Sequence, residues 1–249
     1  MGAADNLERE LPYLRRYARA VTGNGVQGDK IVESMLVSML DNIPSDFSRI
    51  ALFSSLDARF SMMNTGEVSS EIAALSTDAR RALMLTAMEG FPLNDAASIM
   101  RKNSDELLEL IADAENDLTE SLASKVFIIE DEPLVAAHIA QIARQVGHTV
   151  IGQAVTREEA VRACAELRPE LILADVQLAD GSSGADAVAS IKENLDVPVI
   201  FITAFPQKLL TGRHGEPAYL IPKPFRPDMV KAVMSQALIQ RRVRHSAKK

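Results

Sequence analysis

The sequence predicts two architectures in one chain: an all-helical first half, then an α/β domain built on a five-stranded parallel sheet. Three observations carry this expectation. At 249 residues the chain is longer than one ordinary core requires, so two domains are expected. The first half repeats apolar residues at three- and four-residue steps, the helical period. From Lys125 onward, short aliphatic runs alternate with amphipathic stretches, as in strands joined by crossover helices.

Leu7, Leu11, Leu14, Ala18 and Val21 mark the first helix. After the loop Thr22-Gly23-Asn24-Gly25, Ile31, Met35 and Met39 mark the second, and a third runs over 50–60. Beyond the polar stretch Asn64-Thr65-Gly66-Glu67, helices are expected over 77–89, 93–101 and 104–122. Gly90 suits the position after a helix end, and Ser104 ahead of Asp105 and Glu106 suits an N-cap with an acidic first turn. The expected strands are Val126-Phe127-Ile128-Ile129, residues 148–155, Leu171-Ile172-Leu173-Ala174, Val199-Ile200-Phe201-Ile202 and Tyr219-Leu220-Ile221. Helices are expected between and after them over 134–146, 157–167, 184–194 and 227–240, with a weak one at 207–210. The boundary falls near 122–125, giving domains at 1–122 and 124–245.

Composition removes several function classes. With 47% hydrophobic and 24% charged residues the chain is no disordered acidic tail. No apolar run approaches the ~18 residues that span a bilayer, and the N-terminus has neither a basic nor an apolar leader segment, so a cytoplasmic protein is expected. Cys164, the lone cysteine, lies in a helical apolar pattern and reads as a buried thiol. The net charge of −7 opposes nucleic-acid binding, and its distribution sharpens the point. Residues 1–122 hold 11 basic and 20 acidic side chains, net −9, whereas 123–249 hold 16 and 14, net +2.

In an open parallel sheet, ligands bind outside the C-terminal strand ends. There the sequence places Glu130-Asp131-Glu132, Asp175, Thr203 and Lys223 after strands one, three, four and five. Clustered carboxylates repel one another unless a cation joins them, and hard oxygen ligands on a wet rim suit Mg²⁺. A single Asp at a strand end also suits a helix N-cap.

Four motifs in order, Phe127-Ile128-Ile129-Glu130-Asp131-Glu132-Pro133, Asp175-Val176-Gln177-Leu178 with Asp180-Gly181, Phe201-Ile202-Thr203-Ala204 and Pro222-Lys223-Pro224-Phe225, resemble the receiver domain of two-component response regulators. The resemblance covers about 125–241 and implies a flavodoxin-like fold. It further implies Asp175 as phosphoacceptor, Mg²⁺ held by Glu130, Asp131, Asp175 and the Gln177 backbone carbonyl, and Lys223 and Thr203 on the phosphoryl group. A cis peptide before Pro224 is also implied. One position departs: three residues before the lysine, where many receivers carry an aromatic switch, stands Leu220, and the aromatic Tyr219 lies one earlier.

The first half resembles extracytoplasmic-function sigma factors. The stretch from Glu10-Leu11-Pro12-Tyr13 through Thr22-Gly23 is similar to the start of region two (1–62), and residues 75–122, with Ala82-Leu83-Met84-Leu85 and Ala96-Ala97-Ser98-Ile99-Met100, to the helix-turn-helix of region four. A recognition helix needs basic side chains on phosphates. The corresponding helix instead carries Asp105, Glu106, Glu109, Asp113, Glu115 and Asp117 and no Lys or Arg. It keeps an apolar stripe, read as Leu107, Leu108, Ile111, Ala114 and Leu118. Between Phe60 and Gly66 there is also no room for a full −10-reading surface.

A sigma-like domain ahead of a receiver resembles the PhyR family of general stress response regulators in alphaproteobacteria. The resemblance implies a non-enzymatic partner switch: a sensor histidine kinase phosphorylates Asp175, and the sigma-like domain then captures a small anti-sigma factor of the NepR type. Neither DNA nor membrane is an expected partner. Two other readings fit the residues, a phosphorylation-controlled DNA-binding transcription factor and a phosphorelay carrier. The tail residues Arg241, Arg242, Arg244, Lys248 and Lys249 read as a solvated helix end.

Overall fold

The structure, a computed structural model, describes residues 3–41, 47–63, 77–119, 123–209 and 217–246. The polar stretch Asn64-Thr65-Gly66-Glu67, the side chains of Asp113, Ala114, Glu115, Asp117 and Leu118, and those of Arg242, Arg244, Lys248 and Lys249 lie outside the described residues. The chain divides into two compact units, one helical and one built on a sheet.

The helical unit starts with α1 (Ala3–Thr22), α2 (Gly25–Asp41) and α3 (Arg49–Met63). Gly25 opens α2, so the expected four-residue loop is shorter than read. The α1–α2 pair is close: a Cβ on Gly28 would stand 2.6 Å from the Arg19 backbone nitrogen, and Asp29 takes both Arg15 and Arg19, at 3.0 and 2.7 Å. The helix expected over 77–89 is α4 (Thr77–Leu83) followed by a π turn (Met84–Met88), in which the Glu89 N–H reaches back to the Met84 carbonyl at 3.0 Å. Apolar periodicity does not separate these two windings, because Met84, Leu85, Ala87 and Met88 are all buried. Gly90 then takes φ +72°, as the turn requires.

α5 (Leu93–Met100) and α6 (Ser104–Thr119) complete the unit. Two expectations for α6 are corrected. Its N-cap is Asn103: the Asn103 side chain accepts from the Glu106 N–H and the Glu106 carboxylate accepts from the Asn103 N–H, each at 2.8 Å, a reciprocal capping box. Ser104 turns away and donates to the Asn94 side-chain oxygen. Leu108 is 50% exposed, so the inward stripe runs through Leu107 with Leu110 and Ile111 partly buried.

Buried ion pairs join the region-two-like and region-four-like parts of this unit. Arg16 of α1 grips Glu89 through Nε and Nη2 at 3.0 and 2.8 Å. Arg49 of α3 bonds the same carboxylate at 3.2 Å and lies 4.4 Å from the Phe91 ring centroid. Arg81 of α4 links Asp57 of α3, at 3.1 Å, to Asp78, at 2.6 Å. Phe53 meets Phe91 edge-on, with centroids 4.9 Å apart.

In the sheet unit, β1 (Lys125–Ile129), β2 (Thr149–Ala154), β3 (Leu171–Ala174), β4 (Val199–Thr203) and β5 (Tyr219–Pro222) form one parallel sheet in the order β2-β1-β3-β4-β5. The helices α7 (Pro133–Gln145) and α10 (Pro227–Ser246) pack on one another and on the sheet; α8 (Arg157–Leu167) and α9 (Gly184–Lys192) form a second pair. The near-continuous apolar strands follow from this double cover. Phe127, Ile129, Ile172, Ala174 and Leu220 share one core cluster with Cys164, whose thiol is pushed up to about 12 by burial. The weak helix expected at 207–210 is a 3-10 turn, Pro206–Lys208. The sheet order reverses between β1 and β3, which opens a crevice at their C-terminal ends.

Candidate functional site

That crevice collects the predicted residues. Glu130 follows β1 and is 1% exposed; Asp175 follows β3 and is 7% exposed. Glu130, Asp131 and Asp175 each bring a carboxylate oxygen within 4.8 Å of the others, a spacing one metal ion could bridge. Lys223, at the end of β5, reaches into the cluster and donates to Glu130 Oε2 and to Asp175 Oδ2, both at 2.8 Å, with Glu132 Oε1 at 3.5 Å. A single ammonium thus faces an excess of carboxylates, and the set has the charge and the hard oxygen atoms for a divalent cation.

Backbone packing explains the convergence. The Lys223 N–H donates to the Thr203 carbonyl at 2.8 Å, and Thr203 pairs with Pro222, so β4 fixes where the lysine leaves β5. The Lys223–Pro224 peptide is cis, as the resemblance implies. Asp175 Oδ1 accepts from the Val176 and Gln177 N–H groups at 2.5 and 3.4 Å, which leaves Oδ2 for the lysine. Burial pushes the Glu130 carboxyl above its ordinary range, with Lys223 opposing. Burial also disfavours the Lys223 ammonium, but hydrogen bonds to Asp175 and Glu130 outweigh it and hold its pKa above the usual lysine value. For this coupled pair the lysine's direction decides the chemistry, since two 2.8 Å bonds keep it charged.

Thr203 is fully buried, and its hydroxyl accepts from the Phe205 N–H at 3.2 Å. A hydroxyl has one proton and two lone pairs, so this bond leaves the proton to give. Gln177 stands in the Asp175 loop and pairs with Ser183 as an isolated bridge; its side-chain oxygen accepts from Lys208 at 2.8 Å. Tyr219 and Leu220 are both buried in β5, Leu220 within the core cluster, so the aromatic stays displaced by one residue as the sequence has it.

Two residues of this site were not read from the sequence. Gly184 opens α9 directly against the acceptor loop, where a Cβ would overlap the Asp175 carbonyl oxygen; its one signal was a glycine at a helix start beside Ser183. Lys208 carries no motif, and only the folded loops bring it to Gln177.

Comparison with known proteins agrees with both units. A response regulator receiver domain model matches residues 126–235, a model of the sigma2 domain of PhyR matches 7–56, and one of the PhyR sigma-like domain matches 72–120. The phyllosphere-induced regulator PhyR of Methylorubrum extorquens is 40% identical, over 99% of this chain and 100% of its own. The chain belongs to the PhyR family. Among solved PhyR structures, that of the anti-anti-sigma factor PhyR from Bartonella quintana superposes with a TM-score of 0.89 at 42% identity, covering 100% of both chains. That of the PhyR response regulator from Brucella abortus gives 0.89 at 39%, covering 100% of this chain and 98% of the other. The PhyR-family architecture, sigma-like helices followed by a receiver domain, is the one described above.

Proposed function

We propose that this chain is a phosphorylation-activated anti-anti-sigma factor, a cytoplasmic regulator and not an enzyme, divided into a sigma-like part, 1–122, and a receiver part, 124–245. The observation that carries the reading is the Lys223 ammonium bonded at once to Glu130 and Asp175, beside Asp131, at the sheet's switch point. Asp175 is the acceptor: its carboxylate oxygen attacks the phosphorus of a phosphohistidine on a sensor kinase, and the phosphorus–nitrogen bond breaks with its electron pair going to the imidazole. Glu130, Asp131 and Asp175, with the Gln177 carbonyl that the receiver resemblance adds, would hold Mg²⁺, which would supply charge neutralisation. Lys223 transfers one bond from the acceptor carboxylate to a phosphoryl oxygen, and Thr203 donates its hydroxyl proton to another.

The added charge biases the receiver toward a state that frees the sigma-like part to take a small anti-sigma factor of the NepR type, so that the sigma factor it held is released. Full reversal of a 1:99 equilibrium needs about 5.5 kcal/mol of differential stabilisation. The exposed acids Asp105, Glu106 and Glu109 on α6 favour protein capture over DNA, because on phosphates they would add repulsion.

Calorimetric titration of a NepR-type protein into the full chain, with and without Mg²⁺ and beryllofluoride, tests this. The phosphate mimic should tighten binding by about 100-fold or more, and Asp175→Ala should remove that gain. If Asp175→Ala binds as tightly as the beryllofluoride-treated chain, or if the mimic changes nothing, the reading fails.

A further inference from the structure

The Lys223 ammonium has three protons to give, and three carboxylates stand around it. Glu130 Oε2 and Asp175 Oδ2 accept at 2.8 Å each, and Glu132 Oε1 stands at 3.5 Å. The second oxygen of each near carboxylate is engaged by backbone: Asp175 Oδ1 accepts from the Val176 and Gln177 N–H groups, and Glu130 Oε1 accepts from the Glu132 N–H at 3.3 Å. The oxygens that Glu130 and Asp175 can offer a cation are therefore the ones that hold the lysine. Two positive charges drawn to the same oxygens repel each other, so the ammonium and a divalent cation compete.

Glu132 differs from its two neighbours in this set. It lies outside the trio of Glu130, Asp131 and Asp175 whose carboxylate oxygens come within 4.8 Å of one another. It is the N-cap of α7, a position where Ser, Thr, Asp or Asn ordinarily bonds the first turn, yet its side chain makes no capping bond. The carboxylate reaches Lys223 instead. The Glu132 side chain is 64% exposed against 1% for Glu130, which gives it room to follow the ammonium without disturbing the packing.

We propose that Glu132 is a positioning residue that takes a larger share of the Lys223 ammonium when Mg²⁺ draws on Glu130 and Asp175, and so eases Mg²⁺ binding in the crevice. The inference rests on the reading of Glu130, Asp131 and Asp175 as the Mg²⁺ ligands. Without Glu132, the ammonium has only those ligands to turn to and opposes the cation at close range. With it, the ammonium keeps a charged partner outside the ligand set while remaining beside the acceptor. An exposed ion pair contributes little by itself. This one gains weight only when its two stronger competitors are engaged, so its effect belongs to metal affinity and not to the stability of the metal-free chain.

Calorimetric titration of Mg²⁺ into the full chain tests this, with urea unfolding in EDTA as the measure of stability. Glu132→Gln should weaken Mg²⁺ binding by about 3–5-fold and leave the unfolding midpoint in place. Glu132→Asp keeps the charge but loses a methylene of reach, and aspartate is the better N-cap; it should weaken Mg²⁺ binding by about 2–5-fold while the midpoint holds or rises. In a Lys223→Met background, Glu132→Gln should change Mg²⁺ affinity by less than about 1.5-fold, because the group it acts through is gone. Parent-like affinity in Glu132→Gln or Glu132→Asp, or an undiminished loss in the Lys223→Met background, overturns the role of Glu132 and leaves the three ligands standing. If the parent chain shows no saturable Mg²⁺ binding, or if Asp131→Ala binds Mg²⁺ as tightly as the parent, the ligand reading fails and the inference with it.

Discussion

Asp57 and Lys223 both sit among charges, and burial acts on them with different results. Burial pushes the Asp57 carboxyl up to about 6, against the pull of Arg81, whereas two carboxylates hold Lys223 above its ordinary value despite burial. The Asp57 carboxylate touches the Tyr17 hydroxyl at 3.4 Å and Arg81 at 3.1 Å, and burial with the neighbouring acid raises the Tyr17 phenol too. A carboxyl whose folded pKa lies above its unfolded value takes up a proton on folding in the window between them. Its contribution therefore becomes more favourable as pH falls from about 6 toward 3.8, and is a penalty above that range. Asp29 and Asp78, held below the ordinary range by their arginines despite partial burial, stay charged through that window. Urea unfolding at pH 7.5 and 5 should show the parent chain gaining about 1–2 kcal/mol relative to Asp57→Asn on acidification. A difference that stays flat or changes sign would show that the ion pair with Arg81 governs the residue.

At the scale of elements, most boundaries were legible and the errors are local. The strand runs and the helices at α7, α8 and α10 follow from period and from strand length. Ser104 and Asn103 both satisfy the composition of an N-cap, and composition alone does not rank them. Glu106 does, because it stands three residues after Asn103 and can return the bond. Asn103→Ala should cost about 1 kcal/mol in helical-unit stability, and Ser104→Ala less than about 0.5, when both are followed by thermal or urea unfolding. Leu108 fitted the apolar period and yet faces outward, since period fixes which residues share a face but not how wide the covered stripe is. The π turn before Glu89 was hidden for a similar reason, in that five-residue and four-residue backbone bonds serve the same apolar content.

Across the molecule, the acidic excess is confined to the unit shaped like a DNA-binding protein, net −9 against +2 for the remainder. Part of that acid is structural: Glu89 and Asp57 are buried partners of Arg16, Arg49 and Arg81 and fasten the two sigma-like parts together. Removing one partner of such a pair strands the other charge. Glu89→Gln and Arg16→Met should each cost about 3–5 kcal/mol in the unfolding transition of the helices, and the double variant should cost clearly less than their sum. Additive losses would mean that the pair contributes nothing as a pair. Hydrophobic period and four ordered strand-end motifs are local signals that one chain carries whole, and they suffice for the two architectures, the strand-end carboxylate cluster and the family resemblance. It takes the folded chain to show that Glu89 is a buried anchor, that Gly184 must lack a side chain and that Lys208 meets Gln177. The Glu89 and Lys208 contacts join residues 73 and 31 positions apart, and the Gly184 requirement depends on how closely a loop returns to α9, so none of the three follows from hydrophobic period.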